Sequence, residues 1–319
     1  MLSLKKIFVC FLFSSQLASA GELPLIRLGV LAFGTVNWEL TLMQQAQPKS
    51  NKHYRLQVIK MANPQAGKIA LQSGAVDMIV ADWIWVSRQR ALAKDYTFYP
   101  YSNTTGALVL AKESAINQLA DLKNKKIAIA GGELDKNNLL LQALMQKQGQ
   151  GSVFASMEKM YGAPPLLSQQ MTHKRVDALL TYWHYAARME ADGYRVLMTG
   201  NEILQGLGIP VQVPSIGYVF DRAWADSNKA AIQAFLQHTR QAKDALCTDD
   251  ALWQSIQSLT RAKTEQVSQL LRHRYCAGRV NSWGEKEQQA AARIYQYLRK
   301  ISAKRLTGDA ETIQAGTFW

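Results

Sequence analysis

Apolar and polar positions along the chain fall into a repeating order of short β-rich runs, polar breaks and segments of helical period. Residues 25–31 alternate and then break at Ala32-Phe33-Gly34-Thr35-Val36-Asn37; from Trp38 to about Gln45 the apolar spacing turns helical, which predicts strand, loop and helix. Residues 54–60 predict a second strand ending at Asn63-Pro64, and residues 65–72 a short helix closed by Gly74 at its C-terminal cap. Residues 76–81 are a nearly continuous apolar run, as expected of a strand buried on both faces. The same course then returns: strand at 126–130, loop at Gly131-Gly132, helix at 135–146, strand at 154–160, loop at 162–165, helix at 166–172 and strand at 176–181. Strands alternating with helices predict parallel sheets in an α/β layered fold.

In places the repetition is literal. Val76/Val176, Asp77/Asp177, Trp83/Trp183 and Arg88/Arg188 match at a separation of 100 residues, and Trp85/Tyr185 is aromatic in both copies. Two such halves are expected to face each other across a cleft, with the aromatic ends of the repeat turned towards it. Residues 99–106 lead from the first half into an apolar strand at 107–111, and residues 214–220 offer a second crossing. After that, 224–246, 251–259, 263–272 and 284–301 show amphipathic helical spacing. The chain is therefore expected to leave its first lobe and come back to it. This predicts a two-lobed α/β clam shell: lobe 1 from 21–104 and 214–319, lobe 2 from 105–213, a hinge near 104 and 214, and a helical C-terminal region packed on lobe 1.

The first 20 residues add a compartment. Lys5 and Lys6, the apolar run 7–13 and Ala18-Ser19-Ala20 before Gly21 form a secretory signal peptide, too short for the roughly 20 residues of a membrane span. An exported, periplasmic protein without stable membrane insertion is expected. Cys10 leaves with the signal, and Cys247 and Cys276 in an oxidising compartment predict a disulfide, the alternative being two buried thiols. With no CxxC spacing they do not suggest a metal site, and no metal or cofactor is expected. The formal charge of +13 comes from scattered Lys and Arg, many in the C-terminal third. That pattern reads as a solvated basic face rather than a nucleic-acid site.

Several segments together resemble the periplasmic solute-binding proteins of ABC importers, in the branch that binds nitrate, taurine, alkanesulfonates and thiamine precursors. They are Gly74-Ala75-Val76-Asp77, the run Leu119-Ala120-Asp121-Leu122-Lys123-Asn124-Lys125-Lys126-Ile127 that opens the second lobe, and Arg175-Val176-Asp177-Ala178. The resemblance covers essentially the whole mature chain. It implies the type II periplasmic-binding-protein fold and a monomer that captures a small organic solute and delivers it to an ABC permease. Residues 33–40, 81–90, 182–188 and 316–319 look like a subgroup found in bacteria with periplasmic quinoprotein alcohol dehydrogenases. A periplasmic sensor or a dehydrogenase-associated binding protein is therefore the alternative. The related pyrimidine synthases use a His and a Cys-rich stretch; this chain lacks the latter, so an enzyme is not expected.

Ligands of parallel α/β sheets lie at the carboxyl ends of the strands. That rule selects Thr35, Asn37 and Trp38, then Asn63, then Asp82, Trp83 and Trp85 from lobe 1. From lobe 2 it selects Gly131, Gly132, Glu133 and Asp135, then Gly162 and Ala163, then Tyr182, Trp183 and Tyr185. Thr35 and the Gly131-Gly132 turn are candidates for an anion cradle at helix N-termini. Against an anion stand the carboxylates Glu39, Asp82, Glu133 and Asp135 beside the aromatics, which suit a ring-bearing or amine-bearing ligand. Core packing is the competing reading of Trp83 and Trp183, and N-capping that of Asp135. Asp77 and Asp177 read as structural, and Arg88 and Arg188 as partners of carboxylates in their own lobes. His184 is the only histidine in the expected cleft. Where the copies differ, Asp82 against Tyr182 and Ile84 against His184, the lobes are expected to present different chemistry to one asymmetric ligand.

Overall fold

In the computed structural model, which describes residues 22–46 and 51–319, the sequence repeat becomes two five-stranded sheets of the same topology. The expected signal peptide lies outside the described residues. The first sheet contains β1 (Leu25–Leu31), β2 (Arg55–Met61), β3 (Met78–Ala81) and β4 (Tyr96–Ser102). The second contains β5 (Ala107–Leu110), β6 (Lys126–Ala130), β7 (Glu158–Gly162), β8 (Ala178–Thr181) and β9 (Arg195–Thr199). The chain then returns to the first sheet with β10 (Ile216–Asp221). The orders are β2-β1-β3-β10-β4 and β7-β6-β8-β5-β9.

In each sheet the first three strands are parallel, and the fourth runs antiparallel to both neighbours. The sheets are thus mixed rather than wholly parallel, because β10 and β5 enter through the two crossings instead of through a strand-helix-strand unit. Pro100 in β4 is compatible with that strand's outer position, where a missing N–H costs no ladder bond. A second difference lies at 154–160: Gly151–Ser156 is a short helix, and the strand begins only at Glu158. Val153 and Phe154 turn inward from that helix, so their apolar character is not a strand signal.

The repeated aspartates are structural in both copies. The Asp77 amide donates to the Arg27 carbonyl, and the Asp77 carboxylate accepts from the Arg27 amide and takes its guanidinium at 2.5 Å. Asp177 repeats this with Lys126, its amide donating to the Lys126 carbonyl and its carboxylate accepting from the Lys126 amide. Each carboxylate fixes the start of a strand whose far end faces the cleft.

Three long helices of the C-terminal region pack on earlier elements. Lys229–Thr248 packs on the helix Val36–Ala46, Glu265–Ala277 on Trp183–Ala191, and Glu285–Ile301 on Lys136–Lys147. The C-terminal region therefore covers the first lobe and also reaches the second. A Cys247–Cys276 disulfide joins the first two of these helices. Residues 315–319 lie along β4, where the Phe98 amide donates to the Thr317 carbonyl and the Trp319 amide to the Phe98 carbonyl. Between the lobes, Gly106 comes so close to β8 that a Cβ there would sit 2.4 Å from the Thr181 carbonyl oxygen. Only glycine lets the crossing pass at that distance. Among the described residues no helix is long and apolar enough to cross a membrane.

Candidate functional site

The C-terminal ends of β1, β3 and β8, the crossing at Thr104-Thr105-Gly106 and the helix Glu285–Ile301 enclose a cavity of about 260 Å³. Its apolar wall includes Val30, Leu31 and Val36 from the first lobe, Leu140 and Leu204 from the second, and Leu298. Lys68, Asp82, Lys136, Tyr182 and His184 supply most of its chemistry.

Asp82 is the electrostatic centre. It is buried, and its side chain caps the helix Trp83–Arg90 by accepting from the Trp85 amide at 2.8 Å. Two ammonium groups converge on the same carboxylate: Lys136 Nζ at 3.2 Å from the opposite lobe and Lys68 Nζ at 3.9 Å from its own. Burial alone would raise the Asp82 pKa, but Lys136, Lys68 and the Trp85 amide outweigh it and hold it at about 2. Burial likewise works against the charged form of Lys136, yet Asp82 and Asp135 leave its pKa raised. Lys68 is held below the ordinary lysine range by burial, partly offset by Asp82.

The other carboxylate, Asp135, is used differently. It caps the helix Lys136–Lys147, accepting from the Asn137 amide at 2.9 Å and the Asn138 amide at 3.4 Å, and burial raises its pKa. Two cations thus share one firmly ionised carboxylate in a mostly apolar space. Asp135 is the second carboxylate of the cavity wall and also acts on Lys136, so the two desolvated ammonium groups face two carboxylates, one of them engaged in a helix cap. Lys136 donates to Asp82 while Lys68 Nζ, at 3.9 Å, lies beyond hydrogen-bond distance of it, so ammonium N–H donors remain for an anionic guest.

Of the residues expected from the sequence, Thr35, Asp82, Trp83, Asp135, Tyr182 and Trp183 line this cavity. Asn37, Trp38, Asn63, Trp85, Gly132, Glu133 and Tyr185 do not. The Asn37 amide staples its own loop, donating to the Leu31 and Gly34 carbonyls. Trp38 is buried against Trp183 at 5.9 Å and Trp253 at 5.5 Å, so it supports a cavity residue from behind. Asn63 caps the helix Pro64–Gln72. Trp85 stacks on Tyr96 at 5.5 Å with Lys68 over its ring, and Tyr185 packs on His184 and Arg188.

The proposed Gly131-Gly132 cradle does not form. The Gly131 amide is taken by the Gly162 carbonyl, Gly132 is exposed, and Glu133 makes a two-pronged pair with Arg305 at 2.6 and 3.0 Å. Glu39 is not at the mouth either. It is fully buried behind the aromatic floor, where Tyr101 and Tyr275 donate to Oε1 at 2.8 and 2.5 Å and Lys243 Nζ lies at 3.6 Å. Arg88 and Arg188 bind backbone carbonyls, those of Arg305 and of His184 and Thr260, rather than carboxylates.

Lys68 and Lys136 were the residues not anticipated, because they look unremarkable among 37 Lys and Arg. Their signal was positional. Lys136 directly follows the cap Asp135, and Lys68 stands five residues after the cap Asn63, so both lie near helix N-termini at the strand ends.

Comparison with known proteins agrees with this architecture. A protein of Escherichia coli (strain K12) named for binding aliphatic sulfonates is 30% identical over 166 residues, 51% of this chain and 44% of that protein. The aligned stretch thus spans less than half of that relative's length. The alkanesulfonate-binding protein SsuA from Xanthomonas axonopodis pv. citri, bound to MOPS, superposes with a TM-score of 0.71 at 18% identity, covering 94% of this chain and 99% of that one. The periplasmic aliphatic sulphonate binding protein SsuA from Escherichia coli gives 0.72 at 19% identity, covering 93% and 98%. These likenesses establish a shared two-lobed fold. Residues 55–250 match the family described as NMT1/THI5 like, a span reaching across both sheets, and the chain belongs to that family.

Proposed function

We propose that this protein is an exported solute-binding component of an ABC importer that captures a small organic anion between its lobes. One observation carries the reading: lysines from opposite lobes, Lys68 and Lys136, meet over a single ionised carboxylate at the cavity. An anionic head group would take the ammonium donors left over and at the same time tie the lobes together, while the apolar wall takes an aliphatic body. The sulfonate named for the Escherichia coli relative is such an anion, which supports an alkanesulfonate-like ligand over an amine. Lobe 1 is taken as 21–104 and 214–319, lobe 2 as 105–213, and the crossings near 104 and 214 as the hinge on which capture closes the shell. The closed form would then dock on its permease in the periplasm.

A thermal-shift panel of the purified protein tests this. Short alkane-1-sulfonates should raise Tm in a concentration-dependent way, because a ligand that binds only the folded state stabilises it by mass action. Alkylamines of matched length should leave Tm unchanged. Stabilisation by the amines alone would overturn the reading.

A further inference from the structure

One polar side chain lining the cavity is buried with its hydrogen-bonding atoms unpaired. His184 stands in the first turn of the helix Trp183–Ala191, where the first copy of the repeat has Ile84. It is only 6% exposed and lines the cavity, yet neither Nδ1 nor Nε2 has a hydrogen-bond partner. Aromatic rings surround it, Tyr185 at 4.6 Å, Trp183 at 5.4 Å and Tyr182 at 6.4 Å. Arg188, the nearby charge, directs its guanidinium to the backbone carbonyls of His184 and Thr260 and is not part of the cavity wall.

Buried polar atoms are paired in the large majority of cases, and each one left unpaired costs stability. An apolar residue such as the Ile84 of the other copy would fill the place without that cost. Burial, with Arg188 adding to it, keeps the ring uncharged by lowering its pKa to about 3. A neutral imidazole offers one donor and one acceptor. It therefore complements a group that both gives and accepts a hydrogen bond, and adds no charge to the cavity.

We infer that His184 determines specificity by binding a second, neutral group of the ligand, a hydroxyl or amide on the carbon chain that carries the anionic head. This rests on the anion reading of Lys68 and Lys136, and it narrows the ligand from a simple alkyl anion to a bifunctional one. When such a ligand closes the cavity, one of the two ring nitrogens gains the partner it lacks. A methyl in the same place would leave both sealed and unpaired, and sites of that kind reject the analogue lacking the polar group.

The test is calorimetric titration with ω-hydroxyalkane-1-sulfonates of two to five carbons, each paired with the alkane-1-sulfonate in which a methyl replaces the hydroxyl. The wild type should bind the hydroxylated member of at least one pair tenfold or more tightly. His184→Leu should abolish that preference while still binding the methyl-capped member, and His184→Gln, which keeps a donor and an acceptor, should retain part of it. An equal ratio in wild type and His184→Leu, or no preference in the wild type at any length, would overturn the inference and leave the anion reading intact. Failure of every sulfonate to bind the wild type would instead overturn the anion reading, and this inference with it.

Discussion

At the scale of single residues, His184 and Asp82 are perturbed in ways that separate with pH. The folded pKa of His184, at about 3, lies below the ordinary histidine value of about 6.5. The unfolded chain then binds the extra proton first, so the stability tied to the neutral ring is fully present above pH 6.5 and is lost as pH falls towards 3. Asp82, at about 2, loses its contribution only below the ordinary aspartate range. Between pH 7 and 5, wild type should lose about 2 kcal/mol relative to His184→Gln in urea unfolding, from about 1.5 pKa units at 1.4 kcal/mol each. Parallel stability curves for the two proteins would contradict the burial assigned to this ring. The sequence made Asp82, Tyr182 and His184 visible because the repeat exposed their mismatches. Trp38 and Trp85 were misleading because ring size says nothing about which side of a strand end is already filled. Lys68 and Lys136 were hidden because an isolated lysine carries no pattern until the lobes bring two of them together.

At the scale of elements, the parallel strands other than β7 could be read from apolar runs and loop breaks, since β-rich stretches with Gly and Pro boundaries follow local rules; the apolar residues ahead of β7 belong to a helix. The antiparallel pairings of β5 and β10, and the outer strands β9 and β4 that pair with them, were less legible. Their partners lie far along the chain, so no local period announces the pairing. The disulfide was accessible from compartment and count alone. It joins Lys229–Thr248, which packs on the first lobe, to Glu265–Ala277, whose Tyr275 holds Glu39 under the aromatic floor. Closing a loop across a separation of 29 residues is worth about 3–4 kcal/mol by chain entropy. The double variant Cys247→Ala/Cys276→Ala should therefore unfold at clearly lower urea concentration than wild type. If the midpoints coincide, the bond contributes nothing to stability.

At the scale of the whole molecule, the two lobes meet through contacts of different character. Trp183 of the second lobe packs into an aromatic cluster of the first, with Trp38 at 5.9 Å and Tyr275 at 6.4 Å. At the rim, Arg274 of the C-terminal region pairs with Glu190 and Arg305 with Glu133. Exposed pairs of the second kind contribute little, typically below 1 kcal/mol. The Lys136–Asp82 pair is different because it is sheltered and lies on the cavity itself. It is the place where ligand charge and lobe closure act on the same atoms. The decisive measurement is calorimetric titration of butane-1-sulfonate, or of its hydroxylated counterpart, into wild type and Lys136→Met. Binding to wild type should be saturable and one-to-one, and binding to the variant at least tenfold weaker, a loss of about 1.4 kcal/mol or more. Equal affinity in the two proteins, or no binding of either sulfonate to wild type, would contradict this reading of the site.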